Sequence, residues 1–300
     1  MVVPTRDRAG LVLDAVACAL GQEGVGVQVI VVDDGSRDDT AERVRALGDP
    51  RLELIRHERS LGVSRSRNEG AARARGQWLA FLDDDDLWAP GWLRAALDAG
   101  AGGADLVYGG FVVVDAARQP LEAHLPERPE GVRDALARSN VVGSPSGVVL
   151  RRGLLERAGG FDERLHALAD WELWRRLLAA GTPAAVPDLL VAYTLHEGNM
   201  HLRTPDAVLA ELAALEARGL GGRDVAEFAR WVAADSKRFG LRGQAARLYL
   251  LAARRSRNPR DVARAARVLL DRHTTARDPG RRPLGPAWLS RWVPAEPGSR

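Results

Sequence analysis

Cys18 is the only cysteine among 300 residues, so no intrachain disulfide can form and a multi-thiolate metal site is excluded. Lys237 is the only lysine, which leaves an aspartyl-nucleophile phosphatase without its partner lysine. No run of 18 or more apolar residues occurs, so no membrane-spanning helix is expected. The net charge of +3 is close to balance and demands no nucleic-acid partner. No Ser/His/Asp set points to a covalent nucleophile.

The charge that is present is unevenly placed. Residues 1–200 carry 23 basic and 30 acidic side chains, a net of −7, whereas residues 201–300 carry 20 and 10, a net of +10. The excess lies beyond residue 240. We read the arginine richness as compositional bias rather than as function. The run Leu11–Leu20 after Arg6 and Arg8 superficially resembles a secretory leader. Asp14 interrupts it, and the helical spacing of Leu11, Ala15, Cys18 and Ala19 explains it better. A soluble cytoplasmic protein is the default expectation.

The first half alternates short β-branched runs with helical patterns. Val2–Val3, Val27–Val32, Leu52–Arg56 and Trp78–Leu82 read as strands; Ala9–Gln22, Asp38–Leu47 and Ser64–Arg75 read as helices. The unbroken apolar run VQVIVV suits a strand covered on both faces. This alternation predicts a parallel, doubly wound sheet whose ligands bind at the carboxyl ends of the strands. Beyond about Asp105 the pattern loosens into LVYGGFVVV, a surface loop at HLPERPEG, and SGVVL. Past Arg203 it is helical almost throughout, over Pro205–Arg218, Arg223–Arg238, Gly243–Arg255 and Pro259–Arg272. We therefore expect a catalytic-type α/β domain over 1–202, a helical region over 203–275 and a loosely ordered basic tail over 276–300.

Two acidic clusters fall on the expected ligand edge. VVDDGSRDDT (Val31–Thr40) follows the second strand, and FLDDDDLW (Phe81–Trp88) follows the fourth. Four adjacent carboxylates beside apolar residues repel one another, and a hard divalent cation with phosphate oxygens would relieve that repulsion. A solvated loop with a helix N-terminus near Pro90 explains the same residues. Asp170 likewise reads either as a reactive carboxylate or as the cap of a helix over Trp171–Ala180.

The order VVPTRDR, VVDDGSRDDT, SRNEGAARARGQWLAFLDDDDLW, GGFDERL and DWELW resembles the family 2 glycosyltransferases, over residues 1 to about His201. That resemblance implies an α/β GT-A nucleotide-binding sandwich with a mostly parallel central sheet and a DxD metal motif, here followed by the C-terminal α-helical region. It implies that Pro4, Thr5 and Arg6 line the base pocket, that Asp34 hydrogen-bonds the nucleobase and that Arg67 lies near base and ribose. Asp83 and Asp85 then match the DxD pair, with Asp85 as direct metal ligand and Asp83 or Asp84 toward the ribose. Asp86 matches a helix-facing acid, His196 a histidine near metal and diphosphate, and Asp170 the catalytic base. Mn²⁺ or Mg²⁺ is the implied cofactor.

The implied activity is inverting transfer of a sugar from a UDP, GDP or dTDP donor to a sugar, lipid-linked or small-molecule acceptor. Polysaccharide, glycolipid or glycosylated-metabolite synthesis would follow, with no nucleic acid involved. Arg6 stands where an aromatic is common, Ala169 where an acid is usual, and Ser60-Leu61-Gly62 where Asn-x-Gly is frequent. A sugar nucleotidyltransferase would favour a Gly-rich N-terminal phosphate loop, which the single Gly10 poorly supplies. A non-catalytic sugar-nucleotide-binding or scaffold protein is the other alternative. Arginines past residue 240, with Trp288 and Trp292, suit either a peripheral contact with the inner face of a membrane or a solvated face. The oligomeric state stays open.

Overall fold

The structure is a computed structural model that describes residues 1–199, 202, 204–219, 222–270 and 286–292. The chain divides into two compact units, one of residues 1–133, 141–195 and 283–300, the other of residues 134–140 and 196–282.

The first unit opens with β1 (Val2–Thr5), α1 (Leu11–Leu20), β2 (Val29–Asp33), α2 (Thr40–Ala46), β3 (Leu52–Arg56) and α3 (Val63–Arg73). Strands β1, β2 and β3 pair in parallel in that order, with Val3 opposite Val31 and Val31 opposite Leu54. Val3, Val29 and Val31 share a core with Val12, Ala15, Val16 and Ala19 of α1. Val2 and Val32 point the other way, onto Gly70 of α3. Helices thus bury both faces, which is why these strands carry no polar alternation.

β4 (Trp78–Ala80), β5 (Leu87–Trp88) and α4 (Trp92–Gly100) follow. The sheet continues across a parallel bridge from Val2 to Phe81, where the Leu82 N–H donates to the Val2 carbonyl at 3.0 Å. The remaining elements are β6 (Leu106–Val114), β7 (Pro120–His124), α5 (Val132–Leu136), β8 (Val148–Arg151), α6 (Arg152–Ala158), α7 (Ala169–Ala180) and β9 (Pro183–Thr194). Their order is β4-β8-β6-β9-β5, with β7 on β6. Only β6 and β9 run parallel there; the β4-β8, β8-β6, β9-β5 and β6-β7 pairs are antiparallel. The parallel character expected of the sheet is concentrated in its N-terminal half.

The expected tail over 276–300 is described only at 286–292. There a 3₁₀ turn, Ala287–Trp292, buries Leu289 in the first unit's core, and the Trp288 indole N–H donates to the Leu189 carbonyl at 2.8 Å. The remainder of that tail lies outside the described residues.

The second unit contains α8 (Pro205–Glu216), α9 (Gly222–Arg238), α10 (Arg242–Ser256) and α11 (Pro259–Leu270). An alanine-rich seam of Ala226, Ala229, Ala233, Ala245, Ala246, Ala252 and Ala265 packs with Val232, Leu248 and Val268. Inside it Asp261 is wholly buried and gripped by Arg230 at 2.9 Å and Arg264 at 2.6 Å. Among the described residues no helix is long and apolar enough to cross a membrane.

Candidate active site

The loops after β1, β2 and β4 meet at one edge of the sheet. The Asp7 N–H donates to Ser36 Oγ at 2.9 Å, and Arg37 N–H returns to Asp7 Oδ1 at 2.7 Å. Ala9 N–H reaches Asp38 Oδ2 at 3.2 Å. These reciprocal bonds lace PTRDR to DGSRDD and hold Asp7 in a left-handed turn at φ 52°. The Asp38 carboxylate takes the N–H groups of Ala9 and of Thr40, the first residue of α2.

Asp34 lies just past β2, beside the Ser60–Gly62 loop. His57 Nδ1 (2.8 Å) and Leu61 N–H (2.7 Å) meet its Oδ1, while Ser60 Oγ (2.6 Å) and Gly62 N–H (3.0 Å) meet its Oδ2. An ionised carboxylate has about four acceptor positions, so protein groups take its capacity and a nucleobase would have to displace one. Burial works against the Asp34 charge, but these donors outweigh it and hold the pKa below the usual carboxylate range. Asp34 therefore organises the Ser60–Gly62 loop. Gly35 permits this: at φ 74°, a Cβ there would come within 2.7 Å of the Arg59 backbone. The other nitrogen of His57 meets Glu69 at 2.9 Å. Burial opposes its charge, and the two carboxylates raise its pKa nonetheless.

The four aspartates after β4 have four different environments. Asp83 pairs with the buried Arg67 of α3 at 2.5 Å. Asp84 is buried, accepts Thr5 Oγ1 at 2.7 Å and pairs with Arg8 at 2.8 Å. Burial, then the neighbouring Asp85, pushes its pKa up to about 7. Asp85 also pairs with Arg8. Asp86 is wholly buried; it accepts Ser146 Oγ at 2.6 Å and the Thr194 N–H at 3.0 Å. Burial, then Asp85 and Asp83, raises its pKa well above the usual range. Asp86 is thus an internal brace rather than a helix cap, tying the DDDD loop to β9 and to the turn before β8.

Two contributors to this loop were not read from the sequence as part of it. Arg8 carries the charge on which Asp84 and Asp85 converge. Ser146 bridges the Asp83 N–H (3.0 Å) and Asp86. PTRDR and SPSG carry both residues, and only their position beside the acids in space reveals the part they play.

Asp170 lies within the first turn of α7, because that helix starts at Ala169, two residues before the expected boundary. It accepts the Trp171 N–H at 2.7 Å. The preceding loop is fastened to α3: Ser64 Oγ donates to the Leu165 carbonyl at 2.6 Å, and Asn68 exchanges bonds with the Phe161 backbone at 3.0 and 2.8 Å. Gly160, at φ 75°, lets Asn68 in, since a Cβ would sit 2.5 Å from its Oδ1. Phe161 stands edge-on to Phe81 (5.1 Å between ring centres) and to Trp174 (6.4 Å), one turn after Asp170. The DDDD loop and the Asp170 helix are therefore joined through Phe81, Phe161 and Trp174.

Of the base-pocket residues, Pro4 and Thr5 close β1 and are buried, whereas Arg6 is exposed beside Asp7. His196 lies just past β9, in the second unit; its Nδ1 accepts the Gly198 N–H at 3.0 Å, and its own N–H donates to Asn199 Oδ1 at 2.6 Å. Among the described residues no three His, Cys, Asp or Glu side chains form a metal cage by themselves. The acids after β4 still fit a divalent cation, because Asp84 and Asp85 already close on one positive centre, the Arg8 guanidinium. Asp83 is turned away from that centre, toward Arg67.

This is the GT-A fold, a nucleotide-binding glycosyltransferase architecture. Residues 1–159 match the family described as Glycosyl transferase family 2, and the chain belongs to that family. It is 36% identical over 230 residues to the succinoglycan biosynthesis protein ExoO of Rhizobium meliloti (strain 1021), covering 72% of this chain and 66% of that protein. Among solved structures it resembles the mannosyltransferase PcManGT from Pyrobaculum calidifontis in complex with GDP-Man and Mn²⁺, with a TM-score of 0.58 at 20% identity over 90% of this chain and 73% of that one. S. aureus TarS 1–349 in complex with UDP-GlcNAc gives 0.58 at 17% identity, over 91% and 75%.

Proposed function

We propose that the chain transfers a sugar from a nucleoside-diphosphate donor to an acceptor hydroxyl with inversion at the anomeric carbon. The observation that carries this reading is the linkage of Asp170 to the DDDD loop through Phe161. Asp85 would hold Mn²⁺ or Mg²⁺, with donor phosphates completing the shell. When bound, the ion neutralises charge developing on the departing diphosphate.

The chain's own groups supply the rest. The Ser60–Gly62 loop, positioned by Asp34, lines the base side with Pro4, Thr5 and Arg6. Arg67 and Asp83 face the ribose side, braced by Phe161. Asp170 takes the proton of the acceptor hydroxyl as its oxygen attacks donor C1. The bond from C1 to the diphosphate oxygen breaks as the bond to the acceptor forms, which inverts the centre without a covalent intermediate.

The likeness to ExoO supports polysaccharide assembly as the setting, with a growing glycan or lipid-linked sugar as acceptor. The +10 net charge past residue 200 makes the C-terminal region the candidate contact with the inner face of a membrane. Liposome sedimentation of the full chain at rising salt tests that contact. A thermal-shift panel of UDP-, GDP- and dTDP-sugars, with and without Mn²⁺, tests the donor reading. One nucleotide class should raise the melting temperature in a metal-dependent way; no shift with any donor would contradict it.

A further inference from the structure

Arg8 occupies the place where a metal reading most needs open carboxylates. Its guanidinium closes on Asp84 at 2.8 Å and on Asp85, whose side chain is only 9% exposed. The residue's backbone is fixed, since its N–H reaches Thr40 Oγ1 at 3.3 Å and the flanking Asp7 and Ala9 are laced to the DGSRDD loop. Its side chain is 26% exposed, so the guanidinium has a route outward that the backbone lacks. A divalent cation bound at Asp85 would lie beside this like charge, and the repulsion is strong away from bulk water. The carboxylates cannot serve both cations in the same geometry.

We propose that Arg8 is a resident competitor of the divalent cation for Asp84 and Asp85, and that the donor diphosphate resolves the competition by accepting the displaced guanidinium. A planar guanidinium matches phosphate oxygens well, and Arg8 stays tethered at the loop edge that carries the nucleotide site. Metal alone takes Asp84 and Asp85 from Arg8, whereas metal with diphosphate gives Arg8 new anionic oxygens in their place. Metal and nucleotide therefore bind as a coupled pair, and each tightens the other by the same factor. This inference rests on the metal-dependent reading above.

The test is Mn²⁺ affinity, read by the electron paramagnetic resonance of free Mn²⁺, for wild type, Arg8→Gln and Arg8→Met, with and without UDP. Without UDP, both variants should bind Mn²⁺ at least about tenfold more tightly than wild type. UDP should tighten Mn²⁺ binding about tenfold or more in wild type and far less in the variants. Equal or weaker Mn²⁺ binding by the variants overturns the inference and leaves the metal reading standing. Donor turnover with no Mn²⁺ bound by any form overturns both. Should either variant fail to fold, the Arg8 side-chain resonance of the wild type decides: it should move with Mg²⁺ and UDP together and stay put with Mg²⁺ alone. A resonance unmoved by the pair overturns the inference.

Discussion

Arg67 reaches Asp83 at 2.5 Å while its guanidinium lies 5.2 Å from the centre of the Phe161 ring. The charge of the DDDD loop, helix α3 and the loop leading to Asp170 are thereby held together by one side chain. Arg67→Ala should destabilise the protein by about 3 kcal/mol, since it removes a buried guanidinium and leaves the partly buried Asp83 carboxylate without it. Chemical denaturation measures this; a loss under about 1 kcal/mol is what an exposed pair would give and would contradict the arrangement.

Asp86 and Ser146 form the internal brace of the same loop. Asp86→Asn keeps the shape and an oxygen for the Thr194 N–H, so its cost should stay within about 1 kcal/mol. Ser146→Ala leaves both the Asp83 N–H and Asp86 short of a partner, and should cost about 1–3 kcal/mol. Denaturant titration of the two variants compares them directly. A larger loss for Asp86→Asn than for Ser146→Ala would show that Asp86 is held as an anion.

His57 gives the site a pH dependence of definite sign. Its pKa is raised by Asp34 and Glu69 in the folded chain. Its contribution is therefore full below about 6.5, the unfolded value, and is lost as pH rises through the folded value. The melting temperature of wild type minus that of His57→Gln should shrink between pH 6 and pH 9, taken as roughly the range spanning both values. A difference that grows with pH would refute the assignment.

Much of this was legible in the sequence. Leu52–Arg56 is a strand at both ends as read, and the unbroken Val-rich runs correctly indicated strands covered on both faces. Local periodicity does not encode pairing order, so the antiparallel pairs around β8 and β9 were not visible in it. Arg8 and Ser146 were missed for the same reason: they lie 76 and 60 residues from acids they touch. The start of α7 was misplaced because Ala169 replaces an acid there and Leu168 offers no capping side chain.

The second unit is held by a polar knot in an alanine seam. Asp261→Ala should cost about 3 kcal/mol, because Arg230 and Arg264 lose the carboxylate that pairs both. Hydrogen exchange of the full chain should show the loss as weaker protection in α9 and α11. Unchanged protection there would contradict the claim.

Asp170 as the base that accepts the acceptor proton is the centre of the account, and Asp170→Asn tests it most directly. An asparagine keeps the size of the side chain and the turn, but cannot take the proton. With a donor that shifts the melting temperature of both forms equally, the variant's transfer rate should fall by about 10²–10⁴-fold. A rate within tenfold of wild type would contradict the account.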